Sequence, residues 1–96
     1  MKTSSPSNNL FQDLGFDESE AANLKIRSDL MIAIQRFIES QKLTQAEAAQ
    51  RMDVTQPRIS DLKRGLIDRF TIDMLVNMLA RVGISVTVKT TKPRAA

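Results

Sequence analysis

TQAEAAQRMDVTQPRISDLKRG, residues 44–65, reads as two short helices joined by a tight turn. Thr44 and Glu47 have the spacing of a capping box. The threonine hydroxyl is placed to accept the third amide and the glutamate can reach back, so a helix starts at Gln45 and ends near Met52. Asp53 and Val54 form the turn. Thr55 then caps a second helix whose second position is Pro57, tolerated there because its missing N–H would have no intrahelical partner. Gly65 closes this helix as glycine permits. Ala49 is small where the two helices must cross closely. Ala48, Met52, Val54, Ile59 and Leu62 are apolar at the spacing needed to pack the pair onto a body of other helices. Gln56, Arg58, Ser60, Asp61 and Arg64 face outward and are all polar.

Outward from this pair the chain stays helical on both sides. Asp17 and Glu20 repeat the reciprocal cap, and Ala21, Leu24, Met31, Ile34 and Ile38, with Leu30 and Phe37 beside them, recur at helical spacing over roughly 18–40. Thr71 opens a last helix through Ile72, Leu75, Val76, Leu79 and Val82, closed by Gly83. Met31, Met52, Met74 and Met78 read as core filler. Then the period changes: Ile84, Val86 and Val88 alternate with Ser85, Thr87 and Lys89, the pattern of a strand with one apolar face. A lone strand needs a partner for its ladder. Residues 1–12, rich in Ser and Asn, and residues 90–96 read as flexible tails. The expected fold is all-α, with four helices over residues 13–83, a C-terminal β-strand at 84–89 and a disordered N-terminal tail.

Composition narrows the chemistry. The 96 residues include no His, Cys, Trp or Tyr. There is therefore no ordinary zinc site, no thiol or imidazole nucleophile and no disulfide framework, and no catalytic residue, metal or cofactor is expected. The longest unbroken apolar run, Leu30 to Ile34, is far below the roughly 20 residues that cross a bilayer. No signal-peptide core is present, so a cytoplasmic location without membrane contact is expected. Net charge is +3, but unevenly spread. Residues 1–53 hold six basic and eight acidic side chains, whereas residues 54–96 hold eight and three. The C-terminal half is the one suited to a polyanion.

Residues 44–65 resemble the helix-turn-helix of the lambdoid phage repressors and the wider Xre family. The likeness rests on Thr44, Gln45, Glu47, Ala49, Gln50, Thr55, Gln56, Ile59, Leu62 and Gly65. Asp53 departs from it, since that turn usually carries a left-handed glycine, although aspartate is among the few residues that tolerate the conformation. A lambda-repressor-like domain is implied, with the family's fifth helix replaced by the strand. The longer pattern is similar to the HigA-like antitoxins: FQDLGF at 11–16, EAANLKIRSDLM at 20–31, then TQAEAAQRM, QPRISDLKRG and FTIDMLVNMLARVG. That resemblance implies a repressor that binds a palindromic operator in its own promoter and neutralises a RelE/HigB-like ribonuclease toxin. It also fits a homodimer meeting half-sites about 34–36 Å apart.

By motif position, Thr55, Gln56, Arg58, Ser60 and Asp61 correspond to the groove-facing surface and Gln45 to a backbone-phosphate contact. Gln56 can offer a donor and an acceptor to adenine and Arg58 a bidentate pair to guanine. Arg58 and Asp61, three apart, can also pair with each other. An unpaired Asp61 would repel phosphates, which disfavours direct reading of cytosine. Lys63, Arg64 and Arg69, beyond the recognition helix, can neutralise phosphates. Partner contacts are expected at Leu10, Phe11 and Leu14, or along Ile84, Val86 and Val88.

Competing readings are weaker. A stand-alone phage-type regulator would need no toxin. A carboxylate-only metal nuclease lacks a compact acidic cluster in sequence. An RNA binder lacks a stacking platform, because all four aromatics are Phe and only Phe70 lies near the basic segment.

Overall fold

A computed structural model describes residues 14–93. Among these residues are four α-helices, α1 (Glu18–Ser40), α2 (Gln45–Met52), α3 (Gln56–Lys63) and α4 (Ile72–Arg81), with a 3-10 turn at Ile67–Arg69 before α4.

Each helix begins at a side chain that accepts one of its orphan amides. Asp17 Oδ1 accepts from the Glu20 N–H at 2.7 Å, and Glu20 Oε1 accepts from the Asp17 N–H at 3.2 Å. Thr44 Oγ1 and Glu47 Oε1 make the same reciprocal pair at 3.1 and 2.8 Å. Thr55 and Thr71 accept from the Arg58 and Met74 amides, each at 3.3 Å. Such caps contribute about 1 kcal/mol apiece.

The helix ends are equally uniform. After α1, α2, α3 and α4 come Lys42, Asp53, Gly65 and Gly83, all with positive φ (54°, 58°, 72° and 82°). In each case the next residue donates its amide to a carbonyl five residues back: Leu43 to Ile38, Val54 to Ala49, Leu66 to Asp61 and Ile84 to Leu79, all at 3.0 Å. This is the Schellman closure, in which an apolar residue after the left-handed position folds back over the last turn. Leu43, Val54 and Ile84 do so, half-buried against the core. Two closures use glycine, while Lys42 and Asp53 adopt the left-handed region with a Cβ present.

One core forms where the helices meet. α1 packs chiefly on α4, and α2 on both α3 and α4. Ile34 of α1, Ala48 and Met52 of α2, Ile59 and Leu62 of α3, and Leu75 and Leu79 of α4 are all at most 1% exposed. Phe70, between the 3-10 turn and α4, is equally buried. The buried set on α1 is the predicted Ala21, Leu24, Met31, Ile34 and Ile38. Met31, Met52 and Met78 are core residues, and Met74 packs against them half-buried.

The segment after α4 departs from expectation, because no strand occurs among the described residues. Ile84 is taken up in the closure of α4. Val86, two residues on, lies half-buried against the same core, whereas Val88 is 85% exposed. Ile84 and Val86 thus alternate with the exposed Ser85 and Thr87 because the chain is laid along the helical core there, and Val88 has left that core. A single strand has nowhere to direct its ladder hydrogen bonds, and none forms. No helix of the described residues is long and apolar enough to cross a membrane.

Candidate nucleic-acid interface

The surface in question is built on α3 and the residues that hold it. Ile59 and Leu62, both fully buried, place one side of this short helix against the core. At about 100° per residue, Pro57, Ser60, Asp61 and Arg64 then fall on the opposite side, with Gln56 at its edge in the first position of the helix. Gln56, Pro57 and Arg64 are exposed and Ser60 and Asp61 half-buried. Thr55, exposed, spends its hydroxyl as the cap of α3. Gln45 is exposed at the first position of α2, and Lys63 is exposed at the last position of α3.

Arg58 lies off this line, on the flank facing the 3-10 turn. The pairing with Asp61 expected from their spacing does not form. Instead Arg58 Nη1 donates to the Arg69 carbonyl at 3.0 Å, and the guanidinium lies 5.6 Å from the centroid of the Phe70 ring. Asp61 has a different partner: Arg69 Nη1 sits 3.4 Å from both of its carboxylate oxygens. The side chain of Asp61 is 14% exposed and that of Arg69 58%. Two arginines thus cross between α3 and the turn, one sending its guanidinium to the turn's backbone and the other returning its own to α3.

The turn is braced from behind by α1. Arg27 Nη1 donates to the carbonyls of Ile67 (3.1 Å) and Phe70 (3.3 Å), while its Nε donates to Asn23 Oδ1 at 2.7 Å. Gln35 Nε2 donates to the Leu62 carbonyl at 2.8 Å, in the last turn of α3. Periodicity alone passes over both residues, yet it contains a signal for them. Arg27 and Gln35 fall within the apolar face of α1, between Leu24, Met31 and Ile38, where a polar side chain must find an internal partner.

The turn between α2 and α3 uses Asp53 at φ 58° and ψ 47°, and the Asp53 carboxylate meets Arg81 of α4 at 3.2 Å. Of the expected partner contacts, Leu10 and Phe11 lie outside the described residues. Leu14 is 65% exposed, Ile84 and Val86 are half-buried and Val88 is exposed. Among the described residues no group of three or more carboxylates could hold a metal ion.

This arrangement, two short helices with the second displayed over a braced turn, agrees with a family model described as "Helix-turn-helix domain", which matches residues 10–91. The chain belongs to this helix-turn-helix family. Among solved structures, the domain is similar to a chain described as an XRE family transcriptional regulator. The two share 28% identity at a TM-score of 0.73, over 80% of this chain and 90% of the other. No curated protein matches it. Within the domain, α2 and α3 are the two short helices joined by the turn at Asp53 and Val54.

Proposed function

We propose that this helix-turn-helix protein is a sequence-specific DNA-binding transcriptional repressor. In this reading it is the autoregulating antitoxin of a type II toxin–antitoxin pair. The observation that carries the DNA-binding part is the division of α3. Ile59 and Leu62 are fully buried, so the exposed Gln56 and Arg64 and the half-buried Ser60 line a side turned away from the core. A helix so displayed can enter a major groove, with Gln56 offering a donor and an acceptor to adenine. Gln45, Lys63, Arg64 and Arg69 flank it as phosphate contacts, whose number sets the salt dependence of binding. Arg58, already committed to the Arg69 carbonyl and the Phe70 ring, holds the angle of α3.

Two copies on a palindromic operator would present two such helices one helical turn apart, and a homodimer is part of the proposal. The toxin-binding part rests on the resemblance of roughly residues 11–89 to the HigA-like group and on apolar side chains left at the surface, Leu14 and Val88. The partner would be a RelE/HigB-like ribonuclease. Without such a partner the same DNA surface would serve a stand-alone regulator.

Gel-shift titration against DNA upstream of the protein's own gene, beside a scrambled duplex and at two salt concentrations, tests the first part. Tighter binding to the upstream DNA, lost in Gln56→Ala, is expected, and equal weak binding to both duplexes would refute it. Co-expression with a RelE-like ribonuclease coded beside the gene tests the second. Unchanged toxicity and no complex on gel filtration would leave only the regulator.

A further inference from the structure

Asp61 is the one carboxylate between Val54 and Ile67, and it stands on the outer side of the recognition helix, where an anion facing phosphates is costly unless neutralised. The structure supplies the neutralising charge from outside the helix. Arg69 reaches back from the 3-10 turn to within 3.4 Å of both Asp61 oxygens. The carboxylate is thereby mostly covered, at 14% exposure. Arg69 itself is braced through its backbone, since its carbonyl accepts from Arg58. Its head group is more than half exposed, and contacts of 3.4 Å are long for a charged pair. Only Nη1 faces Asp61, so the other donors of this exposed guanidinium can meet a phosphate while the carboxylate stays neutralised.

We propose that Asp61 is a specificity-determining residue that reads a cytosine in each half-site, with Arg69 as its counter-ion. The inference rests on the DNA-binding reading above and names the base that reading leaves open. An ionised carboxylate is an acceptor only. On the major-groove edge, guanine offers O6 and N7 and thymine offers O4, all acceptors that repel it, while adenine sets its N6 donor beside the N7 acceptor. Cytosine presents the N4 amino group with no adjacent acceptor on its own edge, and so is the base a carboxylate selects. Pro57, on the same side of α3, has no amide to donate, so it offers no competing donor to the groove. On the helix, Asp61 stands five residues beyond Gln56, about 7.5 Å farther along the axis. The cytosine contact is therefore separate from the base that Gln56 meets.

Selection from a library of randomised duplexes, sequenced after several rounds of binding, tests this whatever the operator sequence is. Wild-type protein is expected to select a two-fold symmetric site with a cytosine at one position per half. Replacing that cytosine by thymine should weaken binding by about tenfold or more. Asp61→Ala should accept all four bases there and keep its preferences elsewhere. Asp61→Asn, which adds a donor beside the acceptor and retains the shape of the side chain, should move the preference to adenine and guards against a folding defect in the alanine variant. Arg69→Gln should weaken binding to every sequence without altering the selected base. An unchanged cytosine in the sites chosen by Asp61→Ala or Asp61→Asn would overturn the proposal while leaving DNA binding intact. Failure of the wild-type protein to enrich any sequence would overturn both.

Discussion

The guanidinium of Arg58 lies over the ring of Phe70, 5.6 Å from its centroid. Arg58 belongs to the first turn of α3, whereas Phe70, 1% exposed, is a core residue twelve positions later. The contact joins the start of α3 to the interior through the 3-10 turn, and the bond from Arg58 to the Arg69 carbonyl fixes its direction. A displayed helix of eight residues has little stability of its own, so such ties decide how steadily it is held.

Arg58→Ala should therefore lower the unfolding free energy by about 1–2 kcal/mol, the sum of a cation–π contact and a hydrogen bond to a carbonyl. Arg58→Lys should recover only part of this, because an ammonium lacks the planar face that stacks on the ring. Urea unfolding of the three proteins measures the difference; equal midpoints would show that the contact is idle.

Phe70→Ala should be more damaging. Removing a buried ring costs about 3–5 kcal/mol, and a core of this size supplies net stability of the same order. The variant is expected to be largely unfolded at 25 °C by circular dichroism, with Phe70→Leu retaining helical signal and a lowered thermal midpoint.

The left-handed residues make opposite predictions according to the side chain. Asp53→Val places a β-branched residue at φ 58°, where the strain is about 1–2 kcal/mol, whereas Asp53→Asn should change little. The Asp53–Arg81 ion pair contributes only a few tenths of a kcal/mol, as both side chains are more than half exposed. Lys42→Gly should stabilise by about 0.5–1 kcal/mol, relief of strain outweighing the added freedom of the unfolded chain. Shifts in thermal midpoint report each sign.

Acid should weaken the fold through its helix starts. The Asp17 carboxyl is held below its ordinary pKa chiefly by the Glu20 amide and then the Ser19 hydroxyl. The Asp73 carboxyl is lowered chiefly by the Thr71 hydroxyl, with backbone amides adding to it. Groups depressed in the folded state contribute stability that is present above the unfolded value, about 3.9, and is lost as pH falls through the lower folded one. Stability should hold from about pH 6 to 5 and fall below about pH 4. Asp17→Asn keeps a competent cap while removing the titration. Its urea midpoint should match the wild type near neutrality and decline less steeply in acid.

Much of this architecture was legible because it is local. Thr44 and Glu47, or Asp17 and Glu20, act on amides three residues away, and the apolar stripe of α1 repeats every turn, so neighbours in the chain suffice to read them. The failures share the opposite cause. Arg58 and Asp61 have the spacing of a helical pair, yet each found a partner in the 3-10 turn, eleven and eight residues on. Ile84 and Val86 carry the period of a strand, but the same period suits a chain laid along a core.

The chain's own sequence determined where each helix starts, which side of it turns inward and that α3 is displayed, since caps and periodicity act within a few residues. Only the tertiary structure decided which charges meet around α3 and whether the C-terminal segment becomes a strand. Burial of Phe70 draws Arg69 up to Asp61, and a strand requires a second edge that these residues do not supply; both depend on elements distant in sequence brought together by the core.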